Sequence, residues 1–300
     1  MSTALQLYPR QRCPACDATA AAQLCDLPLD APPLWPFLDD FYHRRIPRAA
    51  LVGLRYRVAE CRACGLLYQR DVADAAGMAR LYGEWLDDAR SLAKKQRAGA
   101  ALFRRYAREA ALIARLFPQR RPEQIRVLEL GSGWGYWGRM ATAFGYAVSG
   151  LELDPRRAAH ARALGVSLAA SLDDIAAHSC DFIYANQVLE HLAEPADVLA
   201  ELAARLAPQG RLLLRVPDAR GLAARLRRDG WAADMQAIHP LEHINGFHRD
   251  SLLQLAARCA LAPARAPLTL DCRTPRSLLN SLRREWRDRR HEPHLLLCKE

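Results

Sequence analysis

Residues Ile125 to Met140 read I-R-V-L-E-L-G-S-G-W-G-Y-W-G-R-M, an aliphatic run that ends in Glu129-Leu130 and meets glycines at 131, 133 and 135. The run has the length and branched, apolar character of a buried strand, and the pattern after Gly135 turns helical. Glycines at alternate positions let the main chain take left-handed conformations and lie against a flat polar ligand with no Cβ in the way. The stretch predicts a strand, a glycine turn and a helix start, built to receive a nucleotide.

The next strand-like run, V-S-G-L-E-L at 148–153, carries Glu152, which lies 23 residues beyond Glu129. An acid at that distance, on the tip of the second strand, is where a ribose diol is held by paired hydrogen bonds. The alternative is an exposed acid facing a helix N-terminus. Further strand patterns follow at Val166–Leu168, Phe182–Tyr184, Leu212–Leu214 with Val216, and His294–Lys299, with helical patterns between them. Such alternation predicts an α/β fold with a mostly parallel sheet and its ligand at the carboxyl ends of the strands.

The form acid-x-G-x-G-x-G, matched by Glu129, Gly131, Gly133 and Gly135, resembles the first motif of the seven-strand class I S-adenosylmethionine-dependent methyltransferases. The resemblance runs through D-F-I-Y-A-N-Q-V-L-E-H-L at 181–192 and L-A-P-Q-G-R-L-L-L-R-V-P at 206–217, which look like that family's fourth and fifth strands. It implies a seven-strand Rossmann-like sheet and S-adenosylmethionine as cofactor. Glu129, the acid of the motif, would belong to the cofactor site, Gly131, Ser132, Gly133 and Gly135 would lie beside the methionine part, Glu152 would hold the ribose, and Asn186 with Gln187 would sit near the sulfonium. Ser171 or Asp173 would contact the adenine. The helix expected at 99–117, apolar at Leu102, Phe103, Tyr106, Ile113, Leu116 and Phe117 and ended by Pro118, would cover the cofactor.

Upstream, Cys13-Pro-Ala-Cys16 and Cys61-Arg-Ala-Cys64 form two C-x-x-C knuckles able to bring four thiolates round one tetrahedral ion. Four thiolates leave no open coordination position, so a zinc there is structural; a redox dithiol or an iron–sulfur centre is the alternative. Arg55–Glu60 and Gly65–Tyr68 read as strands on either side of the second knuckle. Ala31-Pro-Pro-Leu-Trp-Pro36 reads as an irregular excursion, and Cys25 as packing. From about Asp71 to Lys95, Met78, Leu81, Tyr82, Trp85 and Leu86 are spaced for one helical face, with Tyr82 and Trp85 as candidate caps of the substrate cleft. The expected division is a zinc-binding β domain at 1–70, a helical linker at 71–96 and a methyltransferase domain at 97–300.

Composition narrows the class. The 300 residues are 51% hydrophobic, ample for a core, and no apolar run approaches the roughly 18 residues of a membrane span. The start M-S-T-A-L-Q-L-Y-P-R lacks a signal-peptide core, so a cytoplasmic protein is expected. Nine cysteines, an odd count in a long chain with no secretory signal, fit metal binding better than disulfides. The net charge of +10 is carried almost wholly by scattered Arg, with Lys only at 94, 95 and 299, so nucleic acid is not expected as a partner. A helix at 277–290, with Leu278, Leu279, Leu282 and Trp286 on one face and five Arg between 283 and 290, is either a solvated face or a dock for phosphate or lipid. A late helix is expected at 252–259 and a strand at 266–272.

Methyl transfer to a hydroxyl or carbon acid needs a base, and histidine suits that near neutral pH. The candidates gather in A-I-H-P-L-E-H-I-N-G-F-H at 237–248. Its Glu242-His243 pair resembles the E-H pair of sugar C-methyltransferases, which also carry an N-terminal four-cysteine zinc domain; the resemblance makes His243 the base, with Glu242 able to orient it. This chain reads Pro240-Leu241-Glu242-His243 where that family has Y-H-E-H, and it ends without that family's further C-terminal domain. Methyltransferases with a similar H-P-x-E-H stretch act on varied hydroxylated metabolites and glycans. His191 is a further candidate facing the cleft, with a structural role as its alternative, and His239 and His248 are weaker ones. The expected activity is methylation of a small hydroxylated molecule, a nucleotide-linked or glycan sugar. The alternatives are an RNA or protein methyltransferase and a non-catalytic interaction module.

Overall fold

The computed structural model describes residues 4–267, 273–291 and 294–299, those of 284–291 as backbone only. The N-terminal part comprises β1 (Leu7–Pro9), β2 (Ala21–Pro28), α1 (Leu34–Phe41), β3 (Arg55–Cys61), β4 (Leu67–Gln69) and β5 (Asp71–Ala73). β2, β3 and β4 pair antiparallel, and β1 pairs antiparallel with β5. The excursion between the knuckles is not irregular throughout: α1 follows the prolines directly. Pro36 falls in its first turn, where the missing N–H has no intrahelical partner to lose, and Leu34 and Leu38 are fully buried.

The stretch expected to be helical from about 71 to 95 is broken. It gives β5, then α2 (Ala75–Arg80), a π-helical turn at Leu81–Trp85, and α3 (Asp88–Gln96). Two aspartates make the breaks: the Asp74 side chain accepts from Gly77 N–H and the Asp87 side chain from Arg90 N–H, each starting a new helix. α4 (Ala100–Leu116) follows as the expected helix before the main sheet.

The main elements are β6 (Arg126–Leu130), α5 (Tyr136–Ala143), β7 (Ala147–Leu151), α6 (Pro155–Ala163), β8 (Ser167–Ala169), β9 (Cys180–Asn186), α7 (Pro195–Arg205), β10 (Leu206–Arg215), α8 (Leu222–Asp229), β11 (Asn245–Gly246), α9 (Arg249–Arg258), β12 (Leu261–Pro263), α10 (Pro275–His291) and β13 (His294–Lys299). Seven of the strands form one sheet in the order β12-β13-β10-β9-β6-β7-β8. β8, β7, β6, β9 and β10 run parallel, and β13 inserts antiparallel beside β10. The strand expected at 266–272 lies mostly outside the described residues; β12 is the strand that pairs with β13. Of the basic C-terminal helix, the side chains of 284–290 lie outside the described residues.

Period-2 alternation explains the layers. Val127, Phe182, Tyr184, Leu213 and Leu296 face α4 and α5, while Leu128, Ile183, Ala185, Leu214 and Leu297 face α7 and α9. On the second face the core does not stop at the helices: Cys13, Ala15, Cys61, Leu66 and Tyr68 of the N-terminal part belong to the same buried cluster. β11, from the histidine-rich stretch, adds to β4 as the edge strand of the N-terminal sheet. A segment of the 97–300 region thereby completes the sheet of the first 70 residues. Among the described residues no helix is long and apolar enough to cross a membrane.

Candidate active site

All three glycines of the turn are left-handed, with φ of +70° at Gly131, +53° at Gly133 and +77° at Gly135. A Cβ on Gly131 would stand 2.7 Å from Val188, and one on Gly135 2.7 Å from the Ala161 main chain, whereas beside Gly133 the space is open. Two glycines permit close packing, and the third leaves a cradle that a ligand can approach. Glu152, just past the tip of β7, closes on that cradle: its Oε2 accepts from Gly133 N–H at 2.7 Å and its Oε1 from Asp154 N–H at 2.9 Å. Ser132 is buried in the turn. α3 reaches over it, with Trp134 Nε1 donating to Ser91 Oγ at 3.1 Å and Arg157 to Asp88 at 2.9 Å.

Asn186 ends β9, and Gln187 turns left-handed (φ +56°) with its N–H on Arg215 O. Ser171 and Asp173 stand apart from the cradle's hydrogen bonds. Ser171 Oγ accepts from Asp173 N–H, and the Asp173 side chain is 93% exposed beside Arg205. A hollow of about 510 Å3 opens at the other end of the strands between Arg126, Tyr146, Ser167 and Cys180 and contains none of these groups.

Glu129 is 3% exposed beneath the turn, and burial pushes its carboxyl up to about 8. A carboxyl raised from 4.5 in this way holds more protons folded than unfolded between the two values, so stability is lost as pH climbs through that window. The stability of Glu129→Gln relative to the parent is therefore expected to improve by roughly 2–4 kcal/mol from pH 5 to pH 8. Thermal melts at both pH values check this, and an equal difference at the two would refute it.

The histidine candidates converge at the carboxyl end of β9. His191 Nδ1 lies 3.0 Å from both the Tyr82 hydroxyl and the Glu242 carbonyl, and its ring centre lies 4.7 Å from that of His243. His243 Nδ1 bonds the Gln236 carbonyl. Carbonyls only accept, so Nδ1 carries the proton in both rings and Nε2 keeps its lone pair. Burial lowers the His243 pKa and takes His191, with the nearby His243, down to about 3, so both are neutral near pH 7. The Glu242 carboxylate accepts from Tyr42 OH at 2.7 Å. The group that orients His243 is thus a backbone carbonyl, and Glu242 orients His191 through its main chain. Tyr82, expected as a cap or as core, is the link between the two halves. Burial first, and then the charges of Glu242, Glu190 and Glu152, hold its pKa up against the opposing pull of Arg157, so it lies among the acids of both cradle and histidine pocket. Trp85 is core. His239 is buried with Nδ1 on the Pro240 carbonyl, and His248 caps α9.

The four thiols come together as the spacing predicts. Cys13 Sγ lies 3.6 Å from Cys64 Sγ, Cys16 Sγ lies 3.4 Å from Cys61 Sγ, and all four lie within 4.8 Å of one another. Tetrahedral zinc with Zn–S bonds of about 2.3 Å needs sulfurs roughly 3.8 Å apart, so the set fits the ion. The two knuckles are alike: Asp17 N–H bonds Cys13 O, Gly65 N–H bonds Cys61 O, and both donors are left-handed. Gly65 is also where α9's cap approaches, since a Cβ there would lie 2.6 Å from His248 Nε2.

Several residues of the site carry no sequence signal. Arg10 is 4% exposed; it donates through Nε and Nη2 to Gln69 O, through Nη2 to Ile244 O at 2.8 Å, and through Nη1 to Asn245 Oδ1 at 2.8 Å and Ala193 O at 3.3 Å. Asn245 Nδ2 donates to Leu189 O and Leu192 O, Gln69 Nε2 to His239 O and His243 O, and Tyr56 OH to Ile238 O. The N-terminal part therefore holds the histidine stretch along most of its length.

Residues 100–261, more than half of the chain, match the family described as a methyltransferase domain, and the chain belongs to that family. It is a methyltransferase, and S-adenosylmethionine is its cofactor, for which the Gly133 cradle and Glu152 are suited. Among solved structures it is similar to an S-adenosylmethionine-dependent methyltransferase from Archaeoglobus fulgidus (14% identity, TM-score 0.47, covering 71% of this chain and 100% of that one). It is similar to a chain of the complex between the Haloferax volcanii Trm112 methyltransferase activator and a methyltransferase (18% identity, TM-score 0.46, covering 70% and 92%). It is also similar to the Burkholderia thailandensis 1,6-didemethyltoxoflavin-N1-methyltransferase with bound 1,6-didemethyltoxoflavin and S-adenosylhomocysteine (16% identity, TM-score 0.45, covering 81% and 93%). No curated protein matches the chain.

Proposed function

We propose that the protein methylates a small hydroxylated acceptor, a nucleotide-linked or glycan sugar, with His243 taking the acceptor's proton. The observation that carries this is the pair of neutral imidazoles beside the tip of β9, each with Nδ1 bound to a carbonyl and Nε2 free. S-adenosylmethionine supplies the methyl group as a sulfonium electrophile. The chain's own residues do the rest. Gly131, Ser132, Gly133, Gly135 and Glu152 hold the cofactor, Asn186 and Gln187 border it, and Ser171 or Asp173 meets its base. His191 and Glu242 shape the acceptor pocket around His243. The Glu242-His243 pair and the cysteine knuckles, together resembling sugar C-methyltransferases, support a sugar as acceptor; the four cysteines hold a structural zinc.

The test has two stages. Calorimetry with S-adenosylmethionine is expected to give saturable binding that is lost in Gly133→Arg, which fills the open cradle. Labelled S-adenosylmethionine offered with nucleotide sugars, glycans, RNA and protein is then expected to label the sugars, with kcat reduced ~100-fold or more in His243→Ala and cofactor affinity unchanged. Label entering RNA or protein alone, with strongly salt-dependent binding, would replace the sugar with a macromolecule. No cofactor binding by the folded, zinc-loaded protein would leave a non-catalytic interaction module.

A further inference from the structure

Glu190 has no part in the activity proposed above. It is 0% exposed, and neither of its carboxylate oxygens has a hydrogen-bond partner. A buried acid left in this state is costly unless a positive group meets it. Two imidazoles flank it. His191 Nε2 lies 4.0 Å from Glu190 Oε1, and the His243 ring stands at 80° to that of His191. One ligating atom from each of the three residues lies within 4.8 Å of the other two. Both imidazoles have Nδ1 committed to a carbonyl, which is how proteins fix the tautomer and aim of a metal-binding histidine.

We propose that Glu190, His191 and His243 form a binding site for one divalent first-row cation, whose open positions face the acceptor. Two imidazole nitrogens and one carboxylate oxygen suit ions such as Mn2+, and three protein ligands leave positions for other oxygens. The four-thiolate cluster is a different site with different chemistry, closed and suited to a softer ion. The role of the cation rests on the methyl-transfer proposal: an acceptor offering adjacent oxygens, as a vicinal diol does, completes the shell. A hydroxyl in that shell gives up its proton to water more readily; with the cation bound, His243 is its ligand, and the base role proposed above belongs to the site without it.

The test is titration of Mn2+ into the zinc-loaded, full-length protein, read by the electron paramagnetic resonance signal of free Mn2+. One bound ion per chain is expected. Glu190→Gln and His243→Asn are each expected to weaken binding by more than the roughly 10–100-fold that loss of an outer partner produces, while His178→Asn, on the surface, leaves it unchanged. Circular dichroism and calorimetry with S-adenosylmethionine report the folding of each variant. Should Glu190→Gln fail to fold, His243→Asn, at a side chain that is itself only half-buried, carries the comparison. No Mn2+ bound at millimolar concentration, or equal binding in His243→Asn and the parent, would overturn the site. Loss of the cation result with cofactor binding and methyl transfer intact removes this inference alone; one Mn2+ bound per chain without any cofactor binding upholds the site and removes the methyl-transfer proposal.

Discussion

Stripping zinc from the four-cysteine cluster is expected to unfold the whole chain in one transition, leaving no folded methyltransferase domain behind. A zinc domain on a flexible tether would behave otherwise: it would melt alone and spare its neighbour. Here Cys13, Cys61, Leu66 and Tyr68 lie in one buried cluster with Leu130, Ile183, Leu214 and Leu255 of the main sheet and its helices. β11 is the outermost strand of the N-terminal sheet and is joined to α9, whose cap rests on Gly65 of the second knuckle. Structural zinc supplies about 10–16 kcal/mol in small zinc-finger peptides, more than the roughly 5–15 kcal/mol by which a typical domain is stable. Chelation after mild thiol modification should therefore release one zinc per chain and abolish the cooperative melt, and Cys16→Ser should lower the melting temperature steeply. Metal analysis, calorimetric melts and hydrogen exchange follow the three readouts. A chelated protein that still melts cooperatively, with residues 126–215 protected, would refute the shared core.

How far the sequence reveals this molecule depends on the range of the physics involved. Gly131, Gly133 and Gly135 are legible because left-handed backbone demands glycine at the position itself, and Glu152 is legible because its place is set by one strand and one helix of known length. The knuckles are legible because two-residue spacing is what brings paired thiolates to one ion. Tyr82 was visible only as one aromatic of a stripe; its hydroxyl meets His191 because a π-helical turn, which no period announces, re-aims it. α1 was hidden by its prolines, harmless in a first turn but read as breakers. Glu190 lay inside a recognised motif, yet nothing local says that its oxygens would be buried without partners. Arg10, Gln69 and Asn245 were illegible for another reason: their partners are 53 to 235 residues away, and no pattern of period or spacing reaches so far.

Replacing Arg10 is expected to disable methyl transfer while sparing cofactor binding, the largest effect anticipated for any residue remote from the chemistry. Its guanidinium is the knot of the interface, since the same five N–H groups meet Gln69, Ile244, Asn245 and Ala193. Two of those partners lie in the chain directly after His243, and Ala193 lies two residues after His191, so one side chain fixes the spacing between the two histidine-bearing segments. Burial lowers the Arg10 pKa to about 10, which still leaves it charged at neutral pH. Breaking such a buried network costs about 3–5 kcal/mol, because carbonyls that had partners are left without them. Arg10→Leu should lose stability of that order. Arg10→Lys, which keeps the charge but not the fork, should fold better and separate position from stability. Displacing the imidazoles by about 1 Å is enough to lower turnover ~100-fold, whereas the Gly133 cradle and Glu152 draw on none of Arg10's bonds. The expected result for Arg10→Lys is thus an S-adenosylmethionine affinity close to the parent's, kcat strongly reduced, and faster hydrogen exchange confined to residues 236–248 and 189–193. If cofactor affinity and kcat fall together, or if exchange rises across the main sheet, Arg10 serves the fold as a whole and not the placement of His191 and His243.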